Sequence, residues 1–146
     1  MGYLLDTCVI SEIAKPKPNK DVILWLKEND EDNFYLSVLT FGELYKGISK
    51  LRDSKKKELL CDWVENELKN RFKNKILDIN FIIAEIWGNI EGKAESNGIV
   101  LPSIDALIAS TGIAYDLTVV TRNTSDMERT GVKLLNPWVS VCKKTI

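Results

Sequence analysis

The chain of 146 residues has a formal net charge of −1, with 45% hydrophobic and 28% charged residues. These values are ordinary for a soluble globular protein with a substantial core, and we expect a single domain over residues 1–146. The near-neutral charge excludes a bulk polycation, so any contact with nucleic acid has to come from a local patch.

The chain has no histidine. This excludes Ser-His-Asp and Cys-His catalytic groups and histidine-based zinc sites. The three cysteines, Cys8, Cys61 and Cys142, are far apart in sequence, which argues against a disulfide framework and fits a reducing compartment. No apolar run has the length of a membrane span, and Asp6 interrupts the first run, so it is not a signal peptide. We therefore expect a cytoplasmic protein without membrane contact.

Short apolar runs and amphipathic segments alternate along the chain. The apolar runs predict β-strands at residues 3–5, 34–38, 76–79, 117–121 and 132–135. Apolar residues at helical spacing predict helices near 10–14, 22–26, 40–51, 54–73, 81–95 and 101–109, and residues 122–126 are predicted to be a polar loop. Strands that alternate with helices predict an α/β fold with a mainly parallel sheet covered on both faces.

Asp6 ends the first predicted strand and precedes the first helix. Ligands of open α/β sheets bind at the carboxyl ends of the strands, and a buried, unpaired carboxylate is costly. Asp6 therefore has two interpretations. It caps the helix that follows, or it binds a metal ion together with carboxylates from further along the chain.

Three other acids occupy comparable positions. Glu43 lies just past the second strand, Asp105 in the first turn of an apolar helix, and Asp126 just past the fourth strand. Each has a simpler explanation: Glu43 completes the capping-box spacing from Thr40, Asp105 suits a helix dipole, and Asp126 suits a solvated turn. Asp78 also ends a strand, but it is interpreted as the cap of the next helix.

Parallel strands end along one edge of a sheet, so we expect these acids to converge. Two carboxylates about 4 Å apart repel by roughly 4 kcal/mol at an effective dielectric constant near 20, and a divalent cation relieves that cost. Oxygen ligands without histidine or cysteine favour Mg²⁺ or Mn²⁺ over Zn²⁺. Such ions lower the pKa of a bound water and stabilise the oxyanion that leaves a phosphodiester.

Polar and basic residues are expected to flank this site. Thr7, Thr121 and Asn123 could supply uncharged oxygens or hydrogen bonds, and Cys8 is interpreted as a buried thiol rather than a reactive one. Arg122, next to a strand end, is the best candidate for a phosphate contact. Other basic residues lie in loops or at helix ends and are either solvated or part of the same edge; they are Lys15, Lys17, Lys20, Lys50 and Arg129.

The chain resembles the PIN-domain ribonucleases, specifically the VapC-type toxins of bacterial and archaeal toxin–antitoxin pairs. Four stretches carry the resemblance in the family's order, and the ordered set is far more specific than any one of them. They are Leu5-Asp6-Thr7 with Ile10-Ser11-Glu12, residues 37–44 with Gly47-Ile48, residues 101–109, and residues 120–126 with Asn136-Pro137-Trp138.

The resemblance implies a three-layer α/β/α fold and an acidic catalytic site that holds one or two Mg²⁺ or Mn²⁺ ions. It also implies hydrolysis of single-stranded or loop RNA (transfer or ribosomal RNA), inhibition of translation, homodimerisation and neutralisation by an antitoxin. The implied catalytic and metal-binding residues are Asp6, Glu43, Asp105 and Asp126. Thr121 and Asn123 match the family's polar support positions, and the RNA contacts that we expect are Arg122, Lys15 and Lys17.

Two positions depart from the pattern of the family. Cys8 stands where relatives often carry Asn or Ser, which removes a possible hydrogen bond and is expected to loosen metal binding. Met127 stands where the last acid is often followed by Phe. Neither change removes an acid, so we expect activity.

Several carboxylates and no histidine favour hydrolysis by water over cleavage by the RNA's own 2′-OH. Water then attacks phosphorus in line and leaves a 5′-phosphate. The alternative is a catalytically inactive PIN-like module that binds RNA or protein, which the presence of all four acids disfavours. A phosphatase with Asp6 as nucleophile is also disfavoured, because Cys8 stands where a second aspartate would be required.

Overall fold

The computed structural model describes residues 1–139, so Cys142 lies outside the described part of the chain. Five strands form one sheet in the order β3-β2-β1-β4-β5, and every neighbouring pair is parallel. The strands are β1 (Gly2–Leu5), β2 (Phe34–Ser37), β3 (Ile76–Leu77), β4 (Leu117–Val120) and β5 (Leu134–Leu135). The predicted parallel α/β fold is confirmed.

Helices precede and follow these strands along the chain. They are α1 (Thr7–Ile13), α2 (Lys20–Glu28), α3 (Val38–Ser49), α4 (Lys55–Asp62), α5 (Lys69–Arg71), α6 (Phe81–Ser96), α7 (Ser103–Ala114) and α8 (Thr124–Met127). A π-helical segment, Trp63–Leu68, joins α4 to α5, and 3₁₀ turns cover Glu31–Asn33 and Glu128–Thr130. The helix predicted over 54–73 is therefore one helical run that contains a π-helical segment.

The start of α3 differs from the prediction. Ser37 is the last residue of β2 and also the cap of α3, because its Oγ accepts a hydrogen bond from the Leu39 N–H at 3.0 Å. Thr40 therefore lies inside the helix and is not its cap. The capping-box explanation of Glu43 was wrong, which leaves its carboxylate free for a tertiary role.

Three further local predictions are corrected. Asn80, not Asp78, caps α6, since its Oδ1 accepts from the Ile83 N–H at 3.0 Å. The residue type of Ser103 and its place after Pro102 predict that it caps α7, but Ser103 is the first residue of the helix and makes no capping hydrogen bond. The segment predicted as a polar loop contains α8, because Asn123 turns the chain and Thr124–Met127 closes one helical turn that buries Met127.

The core lies on both faces of the sheet, which gives the three-layer α/β/α architecture. Leu5 and Val120 pack on one face with Ile10 of α1. Leu4 and Val119, their neighbours along the strands, pack on the other face with residues of α7, including Ile108 and Ala109. This alternation follows from the period of two along a strand.

Gly112 allows α7 to lie directly against the sheet. A Cβ atom at this position would stand 2.9 Å from a methyl group of Val119 and 2.9 Å from one of Val132. The close approach fixes the helix that carries Asp105 relative to β4. None of the helices within residues 1–139 combines the length and the apolar character that a membrane crossing requires.

Candidate active site

A pocket of about 360 Å³ opens at the carboxyl edge of the sheet. Three of the four predicted acids line it, and they come from three separate elements. The lining residues are Asp6, Thr7, Cys8, Ser11, Glu12, Lys15, Glu43, Asp105, Arg122, Asn123 and Trp138. The pocket therefore gathers residues that are more than a hundred positions apart in the sequence.

Asp6 stands at the base of the pocket, at the junction of β1 and α1. It is 3% exposed. Its Oδ1 accepts from the Thr7 N–H at 2.8 Å, and its Oδ2 accepts from the Thr121 hydroxyl at 2.7 Å. Burial raises the pKa of Asp6, and these hydrogen bonds oppose the rise. Asp6 is thus the helix cap that the sequence allows and, in addition, a buried carboxylate at the pocket.

Thr7 connects Asp6 to Glu43. Its hydroxyl donates to Glu43 Oε1 at 2.5 Å and lies 3.1 Å from the hydroxyl oxygen of Thr40. Thr40 is fully buried, so α1 and α3 are held together by a short polar chain. One oxygen of Glu43 is fixed in this way, and the residue lines the pocket with the other acids.

Asp105 experiences the charge of all the other predicted acids. Its pKa is raised to about 6, first by burial and then by the charges of Asp6, Asp126 and Glu43. Asp126 is exposed and does not line the pocket, but it is near enough to affect Asp105. The four predicted acids are thus close enough for their charges to interact at Asp105. This agrees with the expectation that a parallel sheet brings its strand ends to one edge.

The donor set has the chemistry of a site for a hard divalent cation. It consists of carboxylate and hydroxyl oxygens, with no histidine in the chain. Within residues 1–139, no three acidic or cysteine side chains stand close enough to enclose an ion as they are placed. Burial contributes most to the raised pKa of Asp105, and the charges of Asp6, Asp126 and Glu43 add to it, so these carboxylates repel one another when they are ionised. The carboxylates would have to turn toward an ion in order to bind it.

Cys8 lies against the base of the pocket. Its Sγ is 3.7 Å from Asp6 Oδ2 and 3.5 Å from the Thr121 hydroxyl oxygen. It also accepts from the Arg122 N–H at 3.4 Å. Burial and the neighbouring Asp6 raise the pKa of Cys8, so the group is a neutral thiol, as the sequence interpretation has it. A weak S–H donor thus occupies the place of the expected Asn or Ser.

The support residues and the basic residues fall into two groups. Thr121 is fully buried, and its oxygen accepts from the Asn123 N–H at 2.9 Å, which ties the segment after β4 to Asp6. Lys15 and Arg122 line the pocket, whereas Lys17 is exposed and outside the lining. Of the three predicted RNA contacts, the structure brings only two to the acids.

The sequence predicts no individual role for three residues of the pocket, which are Ser11, Glu12 and Trp138. All three stand within the stretches that carry the family resemblance. The signal for Glu12 was available, because it follows Ile10 on the apolar side of a short helix and precedes Lys15 by three positions. No local signal relates Trp138 to Arg122, since tertiary structure alone brings them together.

The protein is a three-layer α/β/α protein with an acidic pocket at the carboxyl ends of its strands. Comparison with known families identifies the family to which it belongs. The model of the PIN domain family matches residues 3–133. The chain therefore belongs to the PIN domain family.

Curated relatives match the chain over nearly their whole length. The chain is 36% identical to Toxin FitB of Neisseria gonorrhoeae over 135 residues, which is 92% of this chain and 97% of the relative. It is 30% identical to VapC ribonuclease Y4jK of Sinorhizobium fredii over 135 residues, which is 92% of this chain and 96% of the relative.

Solved structures share the fold. The crystal structure of FitAcB from Neisseria gonorrhoeae superposes with a TM-score of 0.87 at 36% identity and covers 93% of this chain and 98% of that one. VapBC2 from Rickettsia felis, bound to a DNA fragment from its promoter, superposes with a TM-score of 0.77 at 27% identity. The match covers 93% of this chain and 98% of that one.

Proposed function

We propose that this protein is a Mg²⁺- or Mn²⁺-dependent endoribonuclease toxin that cleaves single-stranded or loop RNA, such as transfer or ribosomal RNA, and so inhibits translation. One observation carries the proposal. Asp6, Glu43 and Asp105 meet in a solvent-open pocket that also presents Lys15 and Arg122. Family membership supports it, as do relatives named Toxin FitB and VapC ribonuclease. Because the proposed substrate is RNA in translation, we expect the protein to act in the cytoplasm.

The carboxylates of Asp6, Asp105 and Asp126 would hold the ion, with Glu43 binding it directly or orienting water. Bound there, a divalent cation neutralises the mutual repulsion of the acids, lowers the pKa of water and stabilises negative charge on a leaving oxygen. The fit rests on the all-oxygen donor set and on the raised pKa of Asp105, which a cation would bring down again.

Each of the other residues of the site has a separate role in the proposed reaction. Thr7 fixes one oxygen of Glu43 by its hydrogen bond, which leaves the second oxygen to orient a water and accept its proton. Thr121 holds Asp6 in the base of the pocket. Arg122 and Lys15 supply positive charge for the phosphates of the strand. Water attack breaks the P–O3′ bond, so the products carry a 5′-phosphate and a 3′-hydroxyl.

The ends of the products test this chemistry. A 5′-labelled and a 3′-labelled single-stranded RNA are incubated with protein and Mn²⁺, and the fragments are treated with phosphatase or with a 5′-phosphate-dependent exonuclease. We expect fragments with a 5′-phosphate that the exonuclease degrades. Fragments that end in a 2′,3′-cyclic phosphate, with a 5′-hydroxyl on the other side, would contradict hydrolysis by water.

An apolar groove supports neutralisation by an antitoxin. The groove has a volume of about 330 Å³ and is lined mainly by apolar side chains of α3, α4 and the π-helical segment, including Leu44, Ile48 and Trp63. It shares Thr7, Ser11, Lys15 and Glu43 with the acid pocket. A protein segment that buries apolar side chains in this groove would therefore end beside the acids and obstruct them.

A further inference from the structure

Glu12 is a buried carboxylate that the proposed reaction does not use. It lies on α1 between Ile10 and Ile13, is 5% exposed, and lines the acid pocket. An ionised carboxylate in such a place is costly unless it is paired and hydrogen-bonded. Its partners therefore indicate what it does.

Two cations and one backbone N–H surround the Glu12 carboxylate. Lys15 Nζ donates to Oε1 at 2.9 Å, and Arg122 Nη2 lies 3.9 Å from the same oxygen. The Asn19 N–H donates to Oε2 at 2.9 Å. Hydrogen bonds from Lys15 and from the Asn19 backbone hold the pKa of Glu12 below its ordinary value, and the charges of Lys15 and Arg122 add to this effect. The ionised group thus stands between two cations that would otherwise repel each other.

Arg122 is also held from two other sides. Its Cζ lies 4.4 Å from the centroid of the Trp138 ring, which is a cation–π distance. Its backbone N–H donates to Cys8 Sγ. Trp138 Nε1 is buried and has no hydrogen-bond partner among residues 1–139, so packing and the guanidinium place the indole. A guanidinium held in this way loses little further freedom when it binds a phosphate.

The geometry points to Glu12 as a positioning residue for the substrate. It holds Lys15 and Arg122 at the mouth of the pocket, where the Arg122 guanidinium contacts a phosphate of single-stranded RNA beside the scissile bond. Among residues 1–139, the pocket lining contains four carboxylates and two cations, so Lys15 and Arg122 are the lining residues that can offer positive charge to an approaching phosphate. This inference rests on the proposed ribonuclease function.

The variant Glu12→Gln removes the negative charge of the side chain and keeps nearly the same size and shape. The amide oxygen can still accept from the Asn19 N–H, but the charge that holds the two cations is lost. In cleavage of a single-stranded RNA with Mn²⁺, we expect KM to rise about tenfold, as for one lost charged hydrogen bond, and kcat to change by less than about threefold. The slope of log KM against log salt should fall by about 0.7, the value for one phosphate contact on a single strand. The control is Glu91→Gln, a buried glutamate of α6 outside the pocket, which should leave KM, kcat and slope unchanged.

Simple electrostatics predicts the opposite sign for Glu12→Gln. Loss of a negative charge beside the pocket should attract RNA and lower KM, so a KM that is lower or unchanged would overturn the inference. The double variant with Arg122→Gln gives a second test. Because Glu12 acts through Arg122, the double variant should raise KM by much less than the product of the two single effects. Effects that simply multiply would also overturn it.

Two further outcomes are distinguishable. If Glu12→Gln does not fold, Glu12→Asp replaces it, since the shorter side chain withdraws the charge from Arg122, and the same rise in KM is expected. A native protein that shows no metal-dependent cleavage would overturn the proposed function and this inference together. An active native protein with an unchanged Glu12→Gln variant would overturn the inference alone.

Discussion

Two threonine hydroxyls fix the orientation of two acidic side chains. Thr7 donates to Glu43, and Thr121 donates to Asp6. Both residues follow strand ends in the sequence, which is why they could be predicted as supports from position alone. The structure shows what position could not show, namely that each hydroxyl serves a different acid. Their role in catalysis stays a prediction.

The raised pKa of Asp105 makes the stability of the protein dependent on pH. The pKa is about 6 in the folded protein, against an ordinary value of 3.8. The folded state therefore binds this proton more tightly than the unfolded chain does, so the stability falls as pH rises from about 4 to about 6. With a chelator present, we expect Asp105→Asn to be more stable than the native protein at pH 7, by about 1 kcal/mol after allowance for solvent screening.

Urea unfolding of the two proteins between pH 4 and pH 7 measures this difference. It should shrink as the pH falls toward 4, because Asp105 is then protonated in the folded protein and increasingly protonated in the unfolded chain as well. The exposed Asp53, whose ion pair among residues 1–139 is with Lys57, supplies the control variant Asp53→Asn. Native and Asp105→Asn curves that run parallel across the whole range would contradict the electrostatic account.

The Cys8 thiol should react slowly. Burial and the charge of Asp6 raise its pKa, and the thiolate is the reactive form. We expect iodoacetamide at pH 7.5 to modify Cys8 at less than about a tenth of the rate of glutathione, with the rate rising steeply above pH 9. Mass spectrometry of the tryptic peptide gives the rate, and modification of Cys8 as fast as glutathione would show that the thiol is activated.

Secondary-structure elements were predicted well in kind and less well at their ends. The apolar runs and their spacing indicate the strands, the helices and the parallel sheet, because burial on both faces dictates these patterns. The helix starts failed where one residue serves two elements. Ser37 ends β2 and caps α3 at once, whereas the sequence pattern assigns Ser37 to the strand and therefore predicts Thr40 as the cap.

Alanine substitutions at Gly112, where α7 contacts the sheet, and at Gly88 in α6 should change the free energy of unfolding in opposite directions. Gly112→Ala would place a methyl group 2.9 Å from Val119 and Val132 side chains, so we expect a loss of about 1–3 kcal/mol from overpacking. A methyl group at Gly88 in α6 meets no atom of the described residues within 4 Å, so Gly88→Ala should gain up to about 1 kcal/mol from helix propensity. Thermal unfolding measures both, and an equal effect of the two variants would contradict the close packing of α7.

The pocket is a property of the whole molecule. Convergence of the acids could be expected from the topology of a parallel sheet, which aligns the strand ends. The association of Glu12, Arg122 and Trp138 could not, since it depends on the path of the chain after β5 and on side-chain packing. The single domain over residues 1–146 and the homodimer stay predictions; light scattering on the purified chain tests the second.

Metal-dependent cleavage of RNA tests the central claim most directly. A pool of transfer, ribosomal and synthetic single-stranded RNA is incubated with the native protein, with Asp105→Asn and with the control Asp53→Asn, in Mg²⁺, Mn²⁺ or chelator. We expect the native protein and Asp53→Asn to cleave only with the metal, and Asp105→Asn to be slower by about 100-fold or more. Cleavage that persists in chelator, or at an equal rate in Asp105→Asn, would contradict the account.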